Sequence, residues 1–341
     1  MTSRELVKMT LEFRNTTDRV PTDLWLLPWA NMNYPNELQK ITDDFNFDIV
    51  QLPDSYKKYA IQPISEGDSY ARGTAVDEWG VVWKNVQPGL VGEVKHAIVP
   101  GDDVDWEDTS RVHFPEELLT IDVDTINEFC ASTDKFVLSS DLVRPFERMQ
   151  FIRGTEDFLV DLALENEGML NMLAKVHDFN CRLFEVWGKT NVDGLFMMDD
   201  WGSQLSLLIN PKVWRTLFKP MYRDYANIAK KYGKKLFFHS DGNTLSIIPD
   251  LIELGFDAVN LQIFCIGVEK LAEFKGKITF WGEMDRQHLL VNGSPEDIDN
   301  AVKLIYKTLW ADGGIIGQCE FGAGANPDLV YQLYKSWNSI K

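Results

Sequence analysis

Apolar residues in this chain gather in short, nearly unbroken runs, and each run is followed by a stretch whose apolar positions return every three to four residues. The runs are Thr22 to Pro28, Asp48 to Pro53, Lys135 to Ser140, Asp193 to Met198, Lys234 to His239, Asp257 to Leu261, Lys277 to Gly282 and Gly314 to Gln318. Continuous rather than alternating hydrophobicity is what parallel strands covered on both faces require. The intervening stretches carry helix start signals: Asn210 then Pro211 ahead of a pattern reaching Tyr232, and Ser294 then Pro295. Eight strands alternating with helices predict an α/β chain folded as a (β/α)8 TIM barrel. Between the second and third strands, Ser69 to Val99 alternates and turns like antiparallel hairpins, so a β-hairpin excursion is expected over about residues 68–100, beside the barrel mouth.

Composition changes this picture little. The 341 residues, 45% of them hydrophobic types, suit one barrel domain spanning 1–341. The 34 basic and 52 acidic residues give a net charge of −18 with no basic patch, which argues against nucleic acid and anionic membrane surfaces as partners. No apolar stretch approaches the roughly 20 residues of a membrane span. The start, MTSRELVKMTLEF, reads as an amphipathic helix rather than a signal peptide, so a cytoplasmic protein is expected. Cys130, Cys181, Cys265 and Cys319 lie far apart with no CxxC pair, which indicates neither a disulfide framework nor a zinc ribbon.

In this fold the active site sits at the C-terminal ends of the strands, so the residues on which each apolar run ends are the informative ones. The third run ends at Ser139, Ser140 and Asp141, the fourth at Asp199 and Asp200, the fifth at His239 and Asp241. The sixth ends at Gln262, the seventh at Glu283, the eighth at Cys319 and Glu320. Each alone has a bland explanation: Asp241 as a helix cap, Cys319 as an inert core thiol, His239 as a core histidine. Together they point further. His239 and Asp241 stand at i and i+2 of an extended segment and can face one point, with Glu283 and Cys319 expected across the mouth. A histidine, a carboxylate and a thiolate around an open position is the pattern of catalytic zinc, with His239, Asp241 and Cys319 as ligands. Trp25, Trp29, Trp201, Phe238 and Trp281 crowd the same ends, and some of them would line a pocket for a flat substrate, together with Gln204 and Gln262. The Gly-rich stretch Cys319 to Asp328 lacks the GxGxxG spacing and any nearby cation, which makes it a weak phosphate loop.

The stretches Asp77 to Trp83, Arg144 to Glu165, Asp199 to Gln204, Phe238 to Asn243, Phe280 to Leu290 and Gly313 to Gly322 resemble the uroporphyrinogen decarboxylase superfamily, in particular its cobalamin-dependent methyltransferase branch. The resemblance implies a (β/α)8 barrel. The decarboxylases carry an arginine-rich segment near the N-terminus, and this sequence has TDLWLLPWANM there, which speaks against tetrapyrrole decarboxylation. The methyltransferases hold zinc by a His-x-Cys pair and a later cysteine. Here His239 and Cys319 fall on two of those places and Asp241 on the third, a harder donor set. By this resemblance the chain is expected to be an O-demethylase component, moving a methyl group from a methoxylated aromatic to the cobalamin of a separate corrinoid protein. Either Asp241 or Glu283 would complete the zinc site, and Asp199 or Asp200 would orient the substrate. The alternatives are a metal-free lyase of the same superfamily, with Asp199 or Asp200 as proton donor, and a corrinoid-binding module without catalysis.

Overall fold

The computed structural model describes the chain apart from residues 18, 102, 103, 105, 107–109 and 341. Eight parallel strands form one sheet: β1 (Thr22–Leu26), β2 (Ile49–Gln51), β6 (Phe136–Leu138), β7 (Gly194–Met198), β8 (Lys235–Ser240), β9 (Ala258–Leu261), β10 (Thr279–Trp281) and β11 (Ile315–Phe321). Their spatial order is β1-β11-β10-β9-β8-β7-β6-β2, and the ring is drawn shut where the Asp48 amide donates to the Thr22 carbonyl at 2.7 Å. The fold is the α/β barrel that the apolar runs predict. The excursion is present as a separate antiparallel sheet of β3 (Gly73–Val76), β4 (Val82–Asn85) and β5 (Glu93–His96).

Strand parity divides the core in two. Ile49, Phe136, Leu138, Phe196, Phe237, Ala258, Trp281 and Ile316 fill the barrel interior. Their chain neighbours, such as Val137, Leu195, Met197, Leu236, Phe238 and Ile315, point outward into the helical layer. The first helix, Ser3–Leu11, supplies Val7 and Leu11 to the interior cluster and thereby plugs the barrel. Its start is fixed by a capping box, in which Thr2 Oγ1 accepts from the Glu5 amide and the Glu5 carboxylate accepts from the Thr2 amide. With one end of the interior stoppered by this helix, the widest cavity lies at the C-terminal ends of the strands, rimmed by loops. Among the described residues no helix is long and apolar enough to cross a membrane.

Candidate functional site

That cavity measures about 1380 Å³ and is lined by residues of β1, β2 and the strand-end loops, and by the hairpin sheet on one side. Trp25, Phe196, Leu142 and Met198 give it an apolar wall, and Asp200, His239 and Asp241 meet at its rim.

Parity explains which residues reach this point. On β7, Phe196 and Met198 face inward, so the next inward residue is Asp200, and Asp199 is turned out. On β8, Phe237 faces inward and Phe238 outward, which brings His239 and then Asp241 inward. The two loops that follow are locked by glycines. Gly202 N–H donates to the Asp241 carbonyl at 3.1 Å, and a Cβ on Gly242 would sit 2.3 Å from the Gly202 carbonyl. The Asp241 amide in turn donates to Asp200 Oδ1 at 2.8 Å.

His239 Nε2 lies 3.6 Å from Asp200 Oδ1 and 3.7 Å from Asp241 Oδ1, too far for hydrogen bonds. Its tautomer follows from its other side. Asn260 donates its amide N–H groups to the Trp281 carbonyl and to Gln318 Oε1, so its oxygen must face the imidazole and accept from Nδ1–H, at 2.6 Å. In the neutral ring Nε2 then carries the lone pair, and it faces the two carboxylates. Donors about 2.0–2.1 Å from a tetrahedral zinc stand about 3.3 Å apart; the two imidazole–carboxylate distances are close to this and all three atoms lie within 4.8 Å of one another, so the three residues could hold a divalent cation. Second contacts hold the carboxylate: Arg286 Nη2 donates to Asp241 Oδ2 at 2.6 Å and Gln262 Nε2 to Asp241 Oδ1 at 3.0 Å. Such outer partners orient ligands in metal sites.

The remaining expected residues are distributed otherwise. Cys319 is not brought to the trio. β11 runs past it to Phe321, in register with Leu24, and its thiol is buried in the outer layer 3.4 Å from the Tyr334 hydroxyl, where burial pushes its pKa up. Asp199 caps helix Pro145–Arg153, accepting from the amides of Phe146 and Glu147 and from the Tyr222 hydroxyl. Burial and the nearby Glu147 charge raise its pKa well above the usual range. Phe238 and Trp201 also belong to the outer layer, with Trp201 stacked on Phe146 at 4.0 Å and donating to Tyr222. Trp281 sits in the interior, its indole donating to Asp23. Trp29 packs edge-on against Tyr34. Glu283 and Gln204 line a smaller side cavity of about 120 Å³, where burial raises Glu283 to about 8 against the opposing pull of Arg286. Gln262 serves as a support for Asp241 and the Gly242 amide.

Several charged residues of the main cavity, Arg286, Glu147 and Arg144 among them, escape strand-end reasoning because helices and loops supply them. Arg286 bridges Asp241 and Glu320. Glu147, on the first turn of helix Pro145–Arg153, lines the cavity with a buried Oε2 that has no hydrogen-bond partner. Burial raises its pKa, Asp200 adds to the rise, and Arg144 and His239 oppose it. Arg144 lines the same wall. The signal for both was charge inside an apolar helix start, Arg144-Pro-Phe-Glu147-Arg-Met, with no exposed face to take it.

Among solved structures, a methyltransferase from Methanosarcina mazei shares the fold with a TM-score of 0.66, at 13% identity over 99% of this chain and 98% of that one. A glycosylated endo-β-1,4-xylanase of glycoside hydrolase family 10 from Gloeophyllum trabeum aligns with a TM-score of 0.44, at 10% identity over 96% of this chain and 98% of that one. No curated protein matches the sequence significantly. The model of the uroporphyrinogen decarboxylase (URO-D) family matches residues 93–328, a stretch that takes in every barrel strand from β6 to β11 and all three members of the trio. The chain therefore belongs to the uroporphyrinogen decarboxylase family.

Proposed function

We propose that the chain is a zinc-dependent methyltransferase that takes the methyl group of an aryl methyl ether and passes it to the reduced cobalt of a separate corrinoid protein. The observation that carries this reading is the convergence of His239 Nε2, its ring oriented by the Asn260 contact at Nδ1, with Asp200 and Asp241 at the rim of an aromatic-walled cavity. The shared barrel of the M. mazei methyltransferase supports it as well.

Asp200, His239 and Asp241 would hold the zinc. When bound there, with no sulfur among its donors, zinc supplies Lewis-acid polarisation of an ether oxygen, a contribution of several kcal/mol. That help is needed because the departing aryloxide belongs to a phenol of pKa about 10. Trp25, Phe196, Leu142 and Met198 hold the ring by apolar contact, and Gln262 and Arg286 keep Asp241 in place. The C–O bond breaks with its electron pair on oxygen, and the methyl carbon bonds to cobalt, which supplies the new pair. That nucleophile comes from outside the chain, which is consistent with a cavity of this width open at the mouth.

The test is methyl transfer to cob(I)alamin from methoxyarenes by zinc-loaded protein, followed by the methylcobalamin spectrum. Loss of transfer in a folded His239→Ala protein is expected. Equal rates with and without a chelator would refute the metal's role. One observation favours a second reading, a metal-free lyase. Asp23, on the cavity lining, is raised by burial to about 7 against the opposing hydrogen bonds of the Trp281 and Trp25 indoles, so about half of it is protonated at neutrality and able to give a proton to a carbanion. Activity lost in Asp23→Asn but unchanged in His239→Ala would establish the lyase.

A further inference from the structure

Three arginines line the main cavity, and two of them are spent on carboxylates. Arg148 Nη1 lies 2.8 Å from Asp77 Oδ2, and Arg286 is bound to Asp241 and Glu320. Arg144 differs. Among the described residues it makes no ion pair, its Nε is buried with no hydrogen-bond partner, and its guanidinium lies 6.0 Å from the centroid of the Phe151 ring. Arg144 is half-buried, and its buried, unfilled Nε–H is costly until an acceptor arrives. In a chain of net charge −18, where acceptors abound, Arg144 senses the nearby Glu147 charge yet forms no ion pair with it among the described residues.

Its surroundings define what would fill it. The side chain projects from the residue before Pro145 into the same cavity that His239 lines, so an occupant of Arg144 and a reactant at the trio share one space. The planar, multi-donor guanidinium favours a planar anion that can accept two parallel hydrogen bonds, which is a carboxylate. The wall between is aromatic and aliphatic, from Trp25, Phe196, Leu142 and Met198. We propose that Arg144 binds the carboxylate of the methyl donor, so that the substrate class is a methoxylated aromatic acid rather than a neutral methoxyarene. This rests on the methyl-transfer reading for the word donor, but the binding claim stands on the unfilled Nε–H of a cavity-lining arginine without an ion pair.

Equilibrium binding to metal-free full-length protein tests it without recourse to turnover. Calorimetry would compare 4-methoxybenzoate with 4-methoxybenzyl alcohol, which keeps the ring and ether and lacks the charge. The wild type is expected to prefer the acid by about 10–100-fold, the range for loss of a charged hydrogen-bonded pair. Arg144→Gln should erase that preference by weakening the acid alone, and Arg144→Lys should restore part of it. Equal binding of the two ligands by the wild type, no binding of the acid at millimolar concentration, or an equal loss for both ligands in Arg144→Gln would overturn the assignment, the last marking a purely structural arginine. Should Arg144→Gln fail to fold, the wild-type comparison and Arg144→Lys still decide. An intact Arg144-dependent preference in protein that transfers no methyl group would sink the proposed reaction and leave this site standing.

Discussion

Replacing Gly202 by alanine tests whether the site is built by the contact of two loops. A Cβ on Gly202 would lie 2.4 Å from the Asn243 amide nitrogen and 2.6 Å from the Asp241 carbonyl oxygen, both backbone atoms that cannot swing aside. The loops must therefore part, and forced overpacking of this kind costs about 1–3 kcal/mol. The same separation pulls the Asp241 amide from Asp200 Oδ1 and spreads the three donors, so zinc affinity should fall at least about tenfold, as when an outer partner of a ligand is lost. Gly242→Ala meets the same backbone at 2.3 Å and also occupies a left-handed φ of +75°, adding about 1–2 kcal/mol for the left-handed region. Gly233 supplies the control. Its φ is +65° with nothing within 4 Å of a new Cβ, so alanine there bears only the conformational cost and should leave zinc binding unchanged. Denaturant titration gives the stabilities, and competition with a chromophoric chelator gives the affinities. A Gly202→Ala protein that binds zinc as tightly as Gly233→Ala would refute the idea that loop contact sets the ligand spacing.

Asn260→Ala should lower zinc affinity by about 10–100-fold, because His239 Nδ1–H loses its acceptor and the ring its fixed tautomer; chelator competition reads this out. Cys319→Ser should leave both zinc affinity and methyl transfer unchanged, since the thiol contacts Tyr334 in the outer layer; a drop in bound zinc, measured by elemental analysis, would return the sulfur to the site. Asp23 titrates near 7 in the folded protein against 3.8 for an ordinary aspartate, so the folded state holds the extra proton. Its stabilising contribution is complete below about pH 4 and is lost as pH rises through about 7, at up to roughly 1.4 kcal/mol per pH unit between. Asp23→Asn, whose side-chain oxygen can still accept from both indoles, should flatten this slope in denaturation measured from pH 4 to 8, and an unaltered slope would show that Asp23 is not the group responsible.

The barrel was legible because burial on both faces writes itself into composition: eight runs rich in Phe, Val, Ile and Leu become eight strands at the positions expected. The site was legible only as far as strand parity could be known. Asp199 and Asp200 are adjacent in sequence and opposite in space, one capping helix Pro145–Arg153 and the other facing His239. Nothing in the dipeptide says which does which until Phe196 is seen to face inward. Phe238 and Cys319 were misplaced for the same reason, since a one-residue change of phase sends a side chain from the cavity to the helical layer. Cys319 was further obscured by length. The apolar run ends at Gln318, but pairing with β1 carries β11 to Phe321, so a residue expected beyond the strand lies inside it. Asn260 was hidden differently, as a single polar residue within the strand Ala258–Leu261, and its meaning depends on Trp281 and Gln318 from two other strands.

The exchange of sulfur for oxygen follows from these phases. With Cys319 turned outward, the inward residue of β11 at that height is Glu320, and it is engaged by Arg286, which also bonds Asp241. A thiolate site would have set an electron-rich donor against the cation; this one sets a carboxylate whose charge is already shared with a guanidinium. Both features would weaken donation to an ion held there and leave it the stronger electrophile. Thiol activation benefits from the opposite tuning, and ether cleavage, where charge gathers on oxygen in the transition state, benefits from this one. Under the proposed methyl-transfer reading the arrangement would therefore favour donors that leave through oxygen, and an Asp241→Cys protein, with a softer donor at the same point, should lose ether cleavage more than it loses bound zinc.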